Sequence, residues 1–503
     1  MERDGATKSI WQNLPPYIPT NTNPEQDYDV MIVGGGITGV TAGLLLQTSG
    51  KKCVIAEAKN IGFGTTSGTT AHLNTILDLT YAEIERKFGE ENTKIVLSAA
   101  LEAINIVENN VRKYNIDCEF SERSGYLFST DEQQTKKLDE AFTASKKAGC
   151  DVEYADTIPV PVDFQKALVF KRQAQIHPTK YLYGIAKAFE DAGGTILQNC
   201  RVTEVRKGDG KMLEAETFSG KINAQNVIYA THIPPGVNLL HFRCAPYRSY
   251  AMALILNGEY PHDLAYDLYD PYHYYRTQEI DGKKYLIAGG EDHRTGEKKD
   301  TEECFRQLER YLRQYFKVDE IVYKWSSQYF DPTDGLPYIG HLPGNPENVF
   351  VATGYGGNGI TYSQIAAQIL TDLIVKGKSA YEDVFDPMRI KPVAGFEKFI
   401  ENAADVTASF IEKLFPLEKI NPETLKNGEA KLIKFENEAV AVYKDEYGRI
   451  HSVNPACTHI DCTVAWNTAE QVWECPCHGS RFNEDGEMFT APARKDLQKI
   501  QVT

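Results

Sequence analysis

Asp29-Val-Met-Ile-Val33, followed at once by Gly34-Gly35-Gly36-Ile37-Thr38-Gly39, decides the first half of the chain. The β-branched apolar run predicts a buried parallel strand. The glycines match G-x-G-x-x-G and stand where that motif acts, between a strand and a helix. Gly34 makes the tight turn, Gly36 lets the backbone approach a pyrophosphate, and Gly39 lets helix and strand close on each other. Residues 37–49 predict the helix, with Val40, Leu44, Leu45 and Thr48 as its apolar positions, and Lys52-Cys-Val-Ile-Ala56 predicts the next strand. Glu57 ends that strand, where a carboxylate accepts from ribose hydroxyls. A glycine-rich turn without a ligand is the competing reading, and five elements in register outweigh it. The motif alone does not separate FAD from NAD.

The 503 residues exceed what one core supports, so two or more domains are expected. Hydrophobic residues at 42% and charged residues at 25% exclude a disordered or collagen-like chain. A net charge of −16 argues against nucleic-acid partners, which need a basic footprint, and against anionic lipid. Residues 1–26 are polar and Pro-rich and read as a leader without a secretory h-region. No run reaches the ~18 apolar residues of a spanning helix. These features predict a cytoplasmic protein with no integral membrane segment. Cys53, Cys118, Cys150, Cys200, Cys244 and Cys304 are scattered and read as reduced thiols.

Helices are expected at 81–115, 132–148 and 178–192, the last ending in Gly193-Gly194 before the strand 195–197. Residues 213–230 and 249–290 show strand-like alternation. The first large unit spans 27–377, with an interleaved substrate domain at about 85–170 and 245–330. Prolines mark 378–424 as a linker holding one helix near 396–414. From 425 to 503 the chain restarts as short strands (430–435, 439–443, 451–453), a small antiparallel domain with a thin core that a metal centre would help to hold.

Three separated segments of the large unit resemble the D-amino-acid oxidase/glycine oxidase family: Asn226–Thr231, Asp334-Gly-Leu-Pro-Tyr-Ile-Gly340, and Ala352-Thr-Gly-Tyr-Gly-Gly-Asn-Gly-Ile-Thr361. The loop Gly62–Ala71 is similar to the one that runs past the flavin in that family. The resemblance implies FAD, and an α/β flavoprotein of two-dinucleotide-binding fold with an interleaved α+β substrate domain. It implies cofactor contacts at Gly34, Gly36, Gly39, Glu57, Thr65, Thr66, Ala230, Gly335, Gly354, Gly357, Asn358, Gly359 and Ile360. Tyr355 and Arg276 are the implied catalytic pair. Arg248 and Arg294 are alternatives to Arg276 for holding a substrate carboxylate, each weighed against a surface ion pair. His72 reads as a packed or hydrogen-bonded histidine, and of Tyr272-His-Tyr-Tyr275 half is expected in a core.

Near the end, Cys457-Thr-His459 and Cys475-Pro-Cys-His478 would each deliver one thiolate and one imidazole. A Rieske 2Fe–2S centre needs two Cys on one iron and two His on the other; a Cys₂His₂ zinc site is the alternative. Cys457–Cys462 and Cys475–Phe482 closely resemble the two Rieske loops of cytochrome bc complexes, which implies a small all-β Rieske domain. It also implies a disulfide between Cys462 and Cys477, with two free thiols as the other possibility. Ser480 matches the serine that bonds a bridging sulfide, and Ala491-Pro-Ala493 resembles the Pro loop over the cluster. Phe482 replaces the family's tyrosine and Asp461 its glycine. Both changes imply a lower potential, through one donor lost and one negative charge gained.

A two-electron flavin joined to a one-electron cluster implies a dehydrogenase. It would oxidise an amine or amino acid and pass single electrons to an external partner such as a ferredoxin. The alternatives are a reductase or oxygenase component with reversed flow, and a redox sensor without turnover.

Overall fold

In the computed structural model the described residues are 3–25, 27–208, 210–389, 417 and 419–502. The helix expected near 396–414 lies outside them.

The strand β1 (Asp27–Val33) runs between two parallel neighbours, β2 (Cys53–Ala56) and Gly220–Tyr229. Covered on both sides, it is apolar without alternation, as its sequence requires. The sheet continues from Gly220–Tyr229 to Val349–Thr353 and Tyr338–His341, and from β2 to Thr195–Leu197. Helix α1 (Ile37–Thr48) lies on this sheet against the helices Pro178–Asp191 and Gly359–Lys376.

A nine-stranded mixed sheet forms the second layer. Its strands come from two stretches of chain that lie side by side, Ser121–Ser129 and Lys166–Gln175 in the first, Cys244–Leu256 through Val318–Pro332 in the second. Helix Glu302–Tyr315 covers one face with Cys304, Phe305, Leu308 and Leu312. The helix expected over 81–115 is two helices, Tyr81–Phe88 and Glu90–Lys113. Gly89 separates them at φ 86°, which only glycine adopts without strain.

The C-terminal unit is all β. Strands Ala430–Phe435, Glu438–Lys444 and Ile450–Val453 form one sheet, and four strands of two or three residues between Ala465 and Thr490 form another. Its core is small and aromatic, with Tyr443, Trp466, Trp473 and Phe482 beside Cys457 and Cys475.

Within residues 3–25, expected as a leader, Arg3–Gly5 and Ser9–Trp11 are buried and form a strap, while 12–25 are half-buried or exposed. Trp11 is fully enclosed and its indole donates to the Thr69 carbonyl at 2.6 Å. Polar composition concealed this because the strap is held largely by ion pairs. Arg3 binds Glu470 at 3.2 Å, and Asp4 binds Arg481 at 3.1 Å. Arg248, on the nine-stranded sheet, binds Glu474 and donates to Ser326 at 2.9 Å. All six charged side chains are buried where strap, sheet and C-terminal domain meet. Burial pushes the Glu470 carboxyl up, but Arg3, Arg248, Arg481 and the Ser326 hydroxyl outweigh it and hold the pKa below its ordinary value. Among the described residues no helix is long and apolar enough to cross a membrane.

Candidate active site

The glycine motif forms one end of a cavity of about 730 Å³. Gly34 has φ 114°, and a Cβ there would lie 2.5 Å from the Ala230 carbonyl oxygen. One on Gly39 would lie 2.0 Å from the Gly34 oxygen. Both therefore set the turn. Gly36 opens on the cavity, and the Thr66 hydroxyl accepts from Ile37 N–H at 3.1 Å, doing the capping that Gly36 cannot. The Glu57 carboxylate accepts from Gly35 and Lys59 N–H, each at 2.7 Å, and faces the cavity with its remaining lone pairs. Burial raises its pKa against those bonds and Arg201. A dinucleotide fits this cradle: exposed helix N-terminus, no side chain at Gly36, and an acid where a ribose would lie.

At the other end, the turn Tyr355–Asn358 leads into the helix Gly359–Lys376. Asn358 donates to Asn74 at 3.3 Å and to the Ile76 carbonyl at 3.1 Å, and accepts from Asp78 N–H at 2.8 Å. Thr65, Thr66, Ala230, Gly357, Gly359 and Ile360 line the cavity. Tyr355 lines it too, with its phenol 3.3 Å from the Thr38 hydroxyl. Three expected contacts do not line the cavity, and the first of them, Gly39, only sets the turn. Gly335 lines an adjoining cavity of about 250 Å³ beside Leu79, and Gly354 makes a φ 76° turn packed on Cys244.

Arg276 does not line the cavity. Its Nη1 donates to the carbonyls of Thr70, Ala71 and Ile176, at 3.0, 2.7 and 3.2 Å, its Nη2 donates to Gln278, and the group lies over the Trp11 ring. It anchors the Thr70–Ala71 loop and is not placed as a substrate ligand. Arg248 belongs to the interdomain ion pairs, and Arg294 does not line the cavity either. His72 packs edge-on against Tyr266 and Tyr274, held neutral by burial and by Arg276. Alternation divides the aromatic strand: Tyr272 and Tyr274 line the cavity, while Tyr275 enters the opposite core.

Asp78, Asp292, Tyr329 and Gln328 escaped the sequence reading. They come from the loop before Tyr81–Phe88 and from two strands of the nine-stranded sheet, and only the fold brings them near one another. Asp78 Oδ2 accepts from Gly357 N–H at 2.5 Å, and Asp292 accepts from the Tyr329 phenol at 2.9 Å.

In the C-terminal domain the loops bring Cys457, His459, Cys475 and His478 together. The imidazole rings are 4.9 Å apart and nearly perpendicular, and the Cys457 thiol reaches both Cys475 and Ser480. Nδ1 of His459 and Nδ1 of His478 are buried with no partner. His459 Nε2 lies 3.1 Å from the Gly236 carbonyl, which fixes the proton on Nε2 and leaves the Nδ1 lone pair free. Two thiols and two orphaned imidazole nitrogens are the donor set of a Rieske cluster. Cys462 and Cys477 are joined in a disulfide, so their proximity to Cys475 adds no ligand. Ser480 accepts from Ala493 N–H at 3.0 Å. Asp461 sits at φ 62°, a backbone state that suits glycine and that aspartate tolerates.

The two sites share a wall. Gly479, next to the ligand His478, lines the large cavity, as do Phe489, Ala491 and Arg494. The Gly479 carbonyl accepts from Gln328 at 3.1 Å. From the other side, the loop that continues the Gly220–Tyr229 strand places His232 in the cavity and His241 edge-on to His459, 4.7 Å away.

Residues 29–373 match the family model described as FAD dependent oxidoreductase, and residues 417–501 match the Rieske [2Fe-2S] domain. Over 99% of its length the chain is 32% identical to YhfW of Bacillus subtilis (strain 168), a protein named as a Rieske 2Fe-2S iron-sulfur protein, 98% of which is covered. It is 24% identical to the gamma-glutamylputrescine oxidoreductase of Escherichia coli (strain K12), over 75% of this chain and 91% of that one. Glycine oxidase from Geobacillus kaustophilus superposes on 73% of the chain and over its own full length, with TM-score 0.59 at 19% identity, which speaks for the fold. The cofactors are FAD and a Rieske 2Fe–2S cluster: the chain belongs to the FAD dependent oxidoreductase family and carries a C-terminal Rieske domain.

Proposed function

We propose that this enzyme is a dehydrogenase that oxidises an amine or amino acid at the C–H bond beside nitrogen. It passes the electrons singly to an external one-electron acceptor of the ferredoxin type. The observation that carries this reading is the shared wall: Gly479, adjacent to the cluster ligand His478, lines the cavity that the dinucleotide cradle opens. Bound FAD supplies two-electron chemistry and the cluster one-electron carriage. The chain's own part is placement. Glu57 and the open N-terminus of α1 orient the nucleotide, while the aromatic sheet roofs the far end. Phe489 and Ala491 of the Rieske domain form part of the wall. The names of the relatives, gamma-glutamylputrescine oxidoreductase and glycine oxidase, point to nitrogen-bearing substrates.

The test is an anaerobic titration of the holoenzyme with amines and amino acids, followed by absorbance and electron paramagnetic resonance. Bleaching of the flavin followed by growth of a reduced-cluster signal is the expected result. Filling of the cluster and then the flavin from reduced ferredoxin, with no compound bleaching it, would mean the opposite flow.

A further inference from the structure

We infer that the Rieske domain completes the nucleotide site of the flavin unit: Phe489 offers its ring to the adenine of FAD, and Arg201 holds it in place. The inference concerns the cofactor already assigned and is independent of the substrate and of the direction of electron flow.

The glycine turn takes the pyrophosphate and Glu57 the ribose, so the base lies beyond Glu57. Ala58, Arg201, Val202 and Thr203 of the flavin unit line the cavity, and so do Met488, Phe489 and Thr490 of the Rieske domain. Arg201 connects the two groups. Its charge acts on the Glu57 carboxylate. Its Nη2 donates to the Met488 carbonyl at 2.9 Å, and its Nη1 approaches the Met488 sulfur at the same distance. Val202 follows Arg201 in the chain and Phe489 follows Met488. One guanidinium therefore fixes both walls at this end of the cavity.

Phe489 is half-buried and joins none of the hydrophobic cores of the described residues. Its ring is backed instead by Arg481, whose guanidinium lies 5.0 Å from the ring centre and donates to Asp4 at 3.1 Å. The segment that carries the ring is stapled to the flavin unit at further points. Gly236 N–H donates to the Pro492 carbonyl at 2.8 Å, Arg494 donates to the Pro235 carbonyl at 3.3 Å, and Ala491 packs against the core around Val33 and Ala56. The same segment serves the cluster through a different residue, Ala493, whose N–H donates to Ser480 at 3.0 Å. An aromatic ring held in place on a cavity wall, and left out of every core, is a stacking platform for a planar base.

The test is reconstitution of the full-length, cluster-loaded chain, freed of flavin, with FAD and with FMN, which lacks the adenosine. Phe489→Ala is expected to raise the dissociation constant for FAD about tenfold and to leave that for FMN unchanged. Phe489→Tyr, which keeps the ring, should hold FAD as the unaltered chain does. The electron paramagnetic resonance signal of the reduced cluster serves as the check on folding. If Phe489→Ala loses that signal, Phe489→Leu, which keeps apolar bulk without the ring, is judged by the same criteria. Unchanged FAD affinity in a cluster-replete variant without the ring overturns the inference. So do equal losses for FAD and FMN, or a tyrosine variant that binds FAD as weakly as the one without the ring.

Discussion

Two groups of buried charge in this molecule follow opposite rules. Where strap, sheet and Rieske domain meet, three arginines face three acids. Glu470 is held below its ordinary pKa despite complete burial, because Arg3, Arg248 and Arg481 outweigh the desolvation. Asp78, on the cavity wall, and Asp292, bonded to the cavity-lining Tyr329, have no ion pair among the described residues, and desolvation drives them up to about 6 and about 7. The two groups thus shift in opposite directions, and the difference lies in the partners. The first set is closed by its arginines; the second has no ion pair to offset desolvation.

Breaking the closed set should give the largest effect. Arg248→Ala leaves Glu474 and Glu470 facing each other without their shared cation. Removing one partner of a buried pair costs about 3–5 kcal/mol. Denaturant unfolding followed by cluster absorbance should show that loss, with the Rieske domain released before the flavin unit. A variant with unchanged stability would mean the six charges do not act as one network.

An intermediate effect separates the two sets by pH. A carboxyl whose folded pKa is depressed stabilises above its unfolded value and loses that contribution as pH falls through the folded one. The interdomain contact should therefore weaken only below the ordinary carboxylate range, near 4.5. Asp78 and Asp292 instead ionise as pH climbs through about 6 and about 7, so the flavin absorbance of the holoenzyme should shift across that interval. Unfolding and flavin absorbance followed from well below pH 4 up to pH 8 should give two separate transitions; a single one would erase the contrast.

The smallest effect adds a polar group where none now stands. Phe482 is fully buried beside Cys457 and Cys475. In Phe482→Tyr the hydroxyl either finds a sulfur acceptor or remains unpaired. One net hydrogen bond of about 1 kcal/mol corresponds to roughly 40 mV upward in a one-electron couple. Redox titration should show that rise, and a potential that stays put or falls would place the hydroxyl outside the cluster's reach.

What could be read from sequence was what lies close together along it. The β1–α1–β2 unit fills thirty consecutive positions, and its five conditions can be checked without leaving that window. The cluster ligands fall within two short loops, each with its chemistry spelled out locally. Arg276 was misread because a lone arginine on a strand carries no sign of whether its fork meets a ligand or three carbonyls. The packing of residues 3–11 was not legible because the anchors of Arg3 and Asp4, Glu470 and Arg481, lie far along the chain. Asp78 and Asp292 carry no local signal, since their significance is the lack of a partner, which only the assembled fold reveals.

Arg3 and Glu470 are separated by 467 positions, yet each is incomplete without the other. During synthesis the strap emerges first and waits for nearly the whole chain before its ion pair can form. The flavin cavity likewise lacks a wall until Gly479 and the segment around Phe489 have been made. A chain cut before residue 470 would lack both the acid that Arg3 binds and the Gly479 side of the cavity, and is expected to hold FAD less firmly than the longer one.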